Sequence, residues 1–127
     1  MIKFLVIIAL LSVGLFAEIQ KKSYSSGELK CETNISDGIR EGLSTGYHRN
    51  GKVKYKTNFK NGKRDGISKK YYKDGVLKTE ENYKNGSLNG LTKEYYKSGK
   101  LKSDFVFEDD LPISGNKYTE DGQKIEG

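Results

Sequence analysis

A period of 24 residues runs through the chain and constrains its fold more than any local motif. Setting Gly42 to Asp65, Gly66 to Asn89 and Gly90 to Ser114 in register superposes the leading glycines, the tyrosines Tyr47, Tyr71 and Tyr95, and the glycines Gly51, Gly75 and Gly99. One step further back, Ile19, Tyr24, Gly27 and Leu29 fall in the columns of Leu43, His48, Gly51 and Val53, so a more diverged first copy begins at Glu18. A fixed period of this length marks supersecondary units that cannot bury their apolar face alone and must stack. The expected organisation is four copies, 18–41, 42–65, 66–89 and 90–114, followed by a partial copy over 116–127 acting as a cap.

Residues 1–17 stand outside the period. Lys3 is followed by an uncharged stretch from Phe4 to Phe16 and by a small residue, Ala17, just before the first copy. That composition is expected of a secretory signal peptide cut after Ala17, and its apolar part is shorter than the ~20 residues a membrane helix needs. No transmembrane span is expected once it is removed. The address is therefore export, to a periplasm, a cell surface or the medium.

The whole chain carries 23 Lys plus Arg against 17 Asp plus Glu, with both signs interspersed. A single cysteine, Cys31, excludes an internal disulfide. With His48 as the only histidine, there is no Cys/His metal cluster either. No Gly-rich loop opens a helix and no nucleophile is paired with a base, so no catalytic residue, cofactor or metal ligand is expected. Nucleic acid is not expected as a partner of an exported chain.

Within a copy the pattern is a β-hairpin. Ile67–Tyr72 and Val76–Tyr83 are rich in β-branched and aromatic residues alternating with charges, and Lys73-Asp74-Gly75 interrupts them. Arg49-Asn50-Gly51, Lys97-Ser98-Gly99 and Ser25-Ser26-Gly27 repeat that loop. A second turn, Lys60-Asn61-Gly62 or Lys84-Asn85-Gly86, leads to the next hairpin. In the fourth copy Asp109-Asp110-Leu111-Pro112 replaces it with one residue added. No stretch has helical periodicity, so the fold class is all-β.

If Tyr72 closes the loop opposite Val76, strict alternation pairs Tyr71 with Leu77 and Lys69 with Thr79 on one face, and Lys70 with Lys78 on the other. The first face is the expected apolar one. It collects Leu29, Val53, Leu77 and Leu101; Ile35, Phe59, Tyr83 and Phe107; and Ile19, Leu43, Ile67 and Leu91. With so few apolar positions the core is thin, and stability is expected to be shared by backbone ladders and neighbouring copies. Opposite lies a lysine column, Lys30, Lys54, Lys78 and Lys102, beside an aromatic column, Tyr24, His48, Tyr72 and Tyr96. These eight residues form the expected binding face, suited to an acidic group on a protein, a membrane surface or a glycan.

The string Gly66-x4-Tyr71-Tyr72-x2-Gly75-x-Leu77-Lys78-x4-Tyr83-x2-Gly86-x3-Gly90 resembles the bacterial variant of the MORN repeat, whose name refers to membrane occupation and recognition. The resemblance extends over essentially all of 18–115. It implies consecutive antiparallel hairpins in one elongated, twisted sheet without a catalytic centre. The chain departs from the standard pattern in having no tryptophan. Some relatives carry an antitoxin label and other MORN arrays are appended to enzymes. The resemblance therefore leaves three expectations: a non-enzymatic interaction surface, a toxin-sequestering inhibitor, or an accessory to a separate enzyme.

Overall fold

The computed structural model describes the backbone of Val6–Ile7 and residues 16–127. Among the described residues there are twelve strands: β1 (Val6–Ile7), β2 (Ala17–Ser23), β3 (Leu29–Ser36), β4 (Ile39–Tyr47), β5 (Val53–Lys60), β6 (Lys63–Tyr71), β7 (Leu77–Lys84), β8 (Ser87–Leu88), β9 (Gly90–Tyr95), β10 (Leu101–Glu108), β11 (Leu111–Tyr118) and β12 (Lys124–Ile125). They form one sheet in which each strand pairs antiparallel with its neighbours in sequence, and only β8 leaves this path to pair with β7 alone. The expected leader lies mostly outside the described residues. Its described part pairs Val6 with Ile19 and Ile7 with Glu18, and Ala17 is the first residue of β2.

Two kinds of turn generate this order. In the three-residue loops, the His48 N–H donates to Lys52 O at 2.8 Å and the Gly51 N–H donates to His48 O at 2.9 Å, with Gly51 at φ 85°. The same bonds recur at Tyr24, Tyr72, Tyr96 and Thr119. A turn closed by a left-handed residue fits the twist of a hairpin, and glycine takes that conformation without a Cβ penalty. On the opposite margin, Asn61-Gly62 (φ 51° and 79°) and Asn85-Gly86 (φ 49° and 87°) are left-handed at both positions, the geometry for which Asn-Gly is preferred. Asp109-Asp110 makes the same turn at φ 46° and 67°. The residue added there is taken up by a register shift between Val106↔Ser114 and Phe107↔Pro112.

Alternation does not run unbroken away from the loops. Tyr71 pairs with Leu77, as expected, but Lys70 then pairs with Thr79 and Lys69 with Glu80, leaving Lys78 as an extra residue. Lys30, Lys54 and Lys102 are extra in the same way. Each lysine of the column is therefore a β-bulge. Because the side-chain period is two, one inserted residue moves everything beyond it to the other face.

The apolar face expected from alternation is consequently corrected. Tyr55, Thr57 and Phe59 pair with Gly46, Ser44 and Gly42, whereas Leu43 pairs with Asn58, Ile67 with Asn82 and Leu91 with Val106. Leu43, Ile67 and Leu91 thus lie on the face opposite Phe59 and Tyr83, 39%, 45% and 40% exposed. Among the described residues Ile35 is the one buried hydrophobic side chain. The thin core is real.

A second set of breaks, in the ladders on the other side of the same strands, accounts for an asparagine column. Asn34, Asn58 and Asn82 sit where the ladder to the next strand is interrupted, and their Nδ2 groups donate to the backbone oxygens of Leu43, Ile67 and Leu91. A side-chain amide there supplies the donor that the backbone ladder lacks.

Candidate functional site

Along the margin of three-residue loops, each aromatic residue of the expected binding face reaches the next copy. The Tyr24 hydroxyl donates to Tyr47 O at 2.6 Å, Tyr72 to Tyr95 O at 2.7 Å and Tyr96 to Tyr118 O at 2.8 Å; His48 Nε2 lies 3.0 Å from Tyr71 O. The polar end of each ring is thereby committed to holding consecutive hairpins together. What remains for a ligand is the ring face.

The three tyrosine rings have cations over their faces. Lys30 Nζ lies 5.7 Å from the Tyr24 centroid, Lys78 Nζ 5.6 Å from Tyr72 and Lys102 Nζ 5.6 Å from Tyr96, within the range of a cation–π contact. The bulge explains the placement, because an inserted residue bends the strand and re-aims its side chain. From the following loop come Arg49, 4.5 Å from the Tyr24 centroid, and Lys97, 5.9 Å from Tyr72. Lys54, His48 and Lys73 line one shallow hollow with Tyr24 and Arg49. The lysines are exposed and the rings half-buried. Glu94 pairs with Lys102 at 3.3 Å and holds its ammonium pKa above the ordinary lysine value, through the hydrogen bond first and charge second.

The structure thus brings all eight expected residues to one margin: Lys30, Lys54, Lys78, Lys102, Tyr24, His48, Tyr72 and Tyr96. Three further cations, Arg49, Lys73 and Lys97, belong with them. Their signal was available, since each is the first residue of its loop and recurs at the 24-residue step.

The face carrying Phe59 and Tyr83 is hollowed across β2 to β7, with a volume of ≈ 350 Å³. Arg40 lies over the Phe59 ring at 5.2 Å and Arg64 over the Tyr83 ring at 5.2 Å. The buried Glu81 closes one end, accepting from Lys70 Nζ at 3.0 Å and from the Tyr83 hydroxyl at 2.6 Å. Burial acts to raise its pKa, but the hydrogen bonds from Tyr83, Lys70 and Thr79 and the Lys70 charge act against it, and the carboxyl sits below the ordinary glutamate value. Burial, then the bond to Glu81, pushes the Tyr83 hydroxyl up. Cys31, also in this hollow, is a free, half-buried thiol.

Among the described residues no group of three or more His, Cys, Asp or Glu is placed to hold a metal ion, and no helix is long and apolar enough to cross a membrane.

These features define an open single-sheet array of β-hairpin repeats, with one copy clamped to the next by an aromatic side chain. The model of the MORN repeat variant matches residues 40–61, 64–85 and 88–109, and the chain belongs to that family. Repeats of this kind are generally interaction or binding modules, consistent with a non-enzymatic protein. Most of the copy at 18–41 lies before the first matched segment, which starts at residue 40, yet β2 and β3 repeat the loop, the bulge at Lys30 and the Tyr24 clamp. No curated protein matches the chain.

Proposed function

We propose that this chain is an exported, non-enzymatic interaction protein that holds an acidic protein partner along its loop margin. The observation that carries this reading is the recurrence of exposed cations over half-buried tyrosine rings in three of the four copies, at Tyr24, Tyr72 and Tyr96. Corresponding positions in successive copies are two strands apart, roughly 10 Å, so the margin offers charges at regular intervals on a surface whose rings are already fixed. Such rings contribute contact area with little entropy left to lose. The cations supply attraction that salt screens over about 8 Å at physiological ionic strength. Export rests on the composition of residues 1–17.

The test is retention of an envelope-extract protein by the mature chain, followed by its affinity for wild type and for the Lys54→Gln, Lys78→Gln, Lys102→Gln variant at two salt concentrations. A weaker affinity and a flatter salt dependence in the variant are expected, with the fold unchanged. Equal affinity and slope would reduce these lysines to solubilising groups. Tyr72→Phe separates clamp from contact: it should lower stability by about 1 kcal/mol, the worth of one hydrogen bond, and leave affinity unchanged.

A further inference from the structure

The hollow borders the loop margin and shares Lys30 with it, so that lysine does not lie on a face opposite Phe59 as alternation would have it. The hollow nonetheless has a chemistry of its own. Its floor is a row of hydroxyls crossing the strands, Thr33, Ser44, Thr57 and Ser68, placed side by side by the pairings Thr33↔Ser44, Ser44↔Thr57 and Thr57↔Ser68. Ser44 and Ser68 are only 4% and 3% exposed, and neither Oγ has a hydrogen-bond partner among the described residues. A buried hydroxyl without a partner is costly, and alanine would fill the same space without that cost. Thr92, one step further along the same column, is unpartnered too, but only Ser44 and Ser68 line one cavity, and for these two that cavity offers room for a partner from outside.

The flanks of the row say what kind. Lys22 and Lys70 lie on the loop side, and Arg40 and Arg64 lie on the Asn-Gly side, each about one side-chain repeat, roughly 7 Å, from the hydroxyls. Among the described residues Lys22 and Arg40 are in no ion pair, and the hollow's single acid, Glu81, is already bound by Lys70. The ligand is therefore anionic and elongated across the strands, with polar groups along its length. Serine and threonine hydroxyls both donate and accept, matching sugar hydroxyls, whereas a peptide backbone offers separate donors and acceptors. The strands beneath are paired on both sides, so a peptide cannot join the ladder. The volume of ≈ 350 Å³ falls within the range of small-ligand sites, about 300–1,000 Å³.

We infer that this hollow binds a short acidic oligosaccharide of the uronate type, with its carboxylates on Arg40, Arg64 and Lys22 and its hydroxyls on Ser44 and Ser68. Neither serine oxygen is open to water, so entry requires side chains around the hollow to part.

Calorimetric titration of the chain with tetragalacturonate, with neutral cellotetraose and with a tetraglutamate peptide tests this. Tetragalacturonate should bind at least tenfold more tightly than either of the others. Ser44→Ala with Ser68→Ala should weaken it at least fivefold while the melting temperature stays equal or rises, and Ser68→Ala alone serves if the double variant does not fold. Arg40→Gln with Arg64→Gln should remove most of the salt dependence, and the triple lysine variant of the loop margin should retain full affinity. Absence of tetragalacturonate binding would overturn the inference. So would serine variants with unchanged affinity, which would make the hydroxyls packing groups only. Equal binding of tetraglutamate would replace the saccharide with an acidic peptide.

Discussion

The two faces of the sheet differ in a way that inverts the usual relation between polarity and burial. On the hollowed face the most enclosed side chains are Ser68 and Ser44, with Glu81 and the apolar Ile35 equally close behind, and the aromatic rings lie against glycines or under arginines. On the other face Leu43, Ile67 and Leu91 stand well exposed beside asparagines that serve the backbone. A domain normally encloses its core between two layers. Here there is one layer, so position on the curved sheet and cover from long neighbouring side chains decide which groups lose solvent. Hydrophobicity is a poor guide to the inside when nothing packs on top.

The sharpest way to break this contrast is at Gly46. A Cβ there would overlap Tyr55 Cε1, because the ring rests where a side chain would be. Gly46→Ala should cost about 3 kcal/mol, in the range of overpacked sites, measured by denaturant titration, and adding Tyr55→Ala should leave a smaller loss than the sum of the two. A fully additive pair would mean that the ring does not hold this place in solution.

Next in size is Glu81→Gln, expected to lose about 2 kcal/mol at neutral pH as charged hydrogen bonds become neutral ones. The carboxyl's pKa is lowered in the folded state, so its contribution is complete above the ordinary value of 4.5 and disappears as the pH falls through the lower folded value. Melting temperatures of wild type and variant should therefore converge in acid. A gap that persists well below that value would place the stabilisation elsewhere.

The smallest effect belongs to the other face. Ile67→Ser should change stability by less than about 1 kcal/mol, because half of the side chain is already in water. A loss as large as that from Gly46→Ala would show that this face is covered in solution and would erase the comparison.

Much of the architecture was legible from residue order. The loops Arg49-Asn50-Gly51 and Lys73-Asp74-Gly75 and the turns Asn61-Gly62 and Asn85-Gly86 name their own geometry, because the left-handed conformations they require admit few residue types. What escaped was the bulge. A lysine gives no local sign that it will be passed over by the ladder, yet Lys78 alone moves Ile67 and Lys70 to faces opposite those that simple alternation assigns. The aromatic column was legible as a periodicity but not as a clamp. The bond from Tyr72 to Tyr95 O joins residues 23 positions apart and exists only once two hairpins lie side by side. The serine column at 44 and 68 was overlooked for a simpler reason, since small hydroxyls carry no weight in a search for an apolar face.

The clamp has a consequence for how such a molecule changes over generations. Each ring reaches forward, from Tyr24 to Tyr47, from His48 to Tyr71, from Tyr72 to Tyr95 and from Tyr96 to Tyr118, and never back. A copy is thus both a hand and a handle. Duplicating one whole unit in the interior supplies one new hand and one new handle together, whereas a length change that is not a whole unit leaves a grip empty. The molecule can be lengthened like a ruler, one graduation at a time, with its spacing preserved.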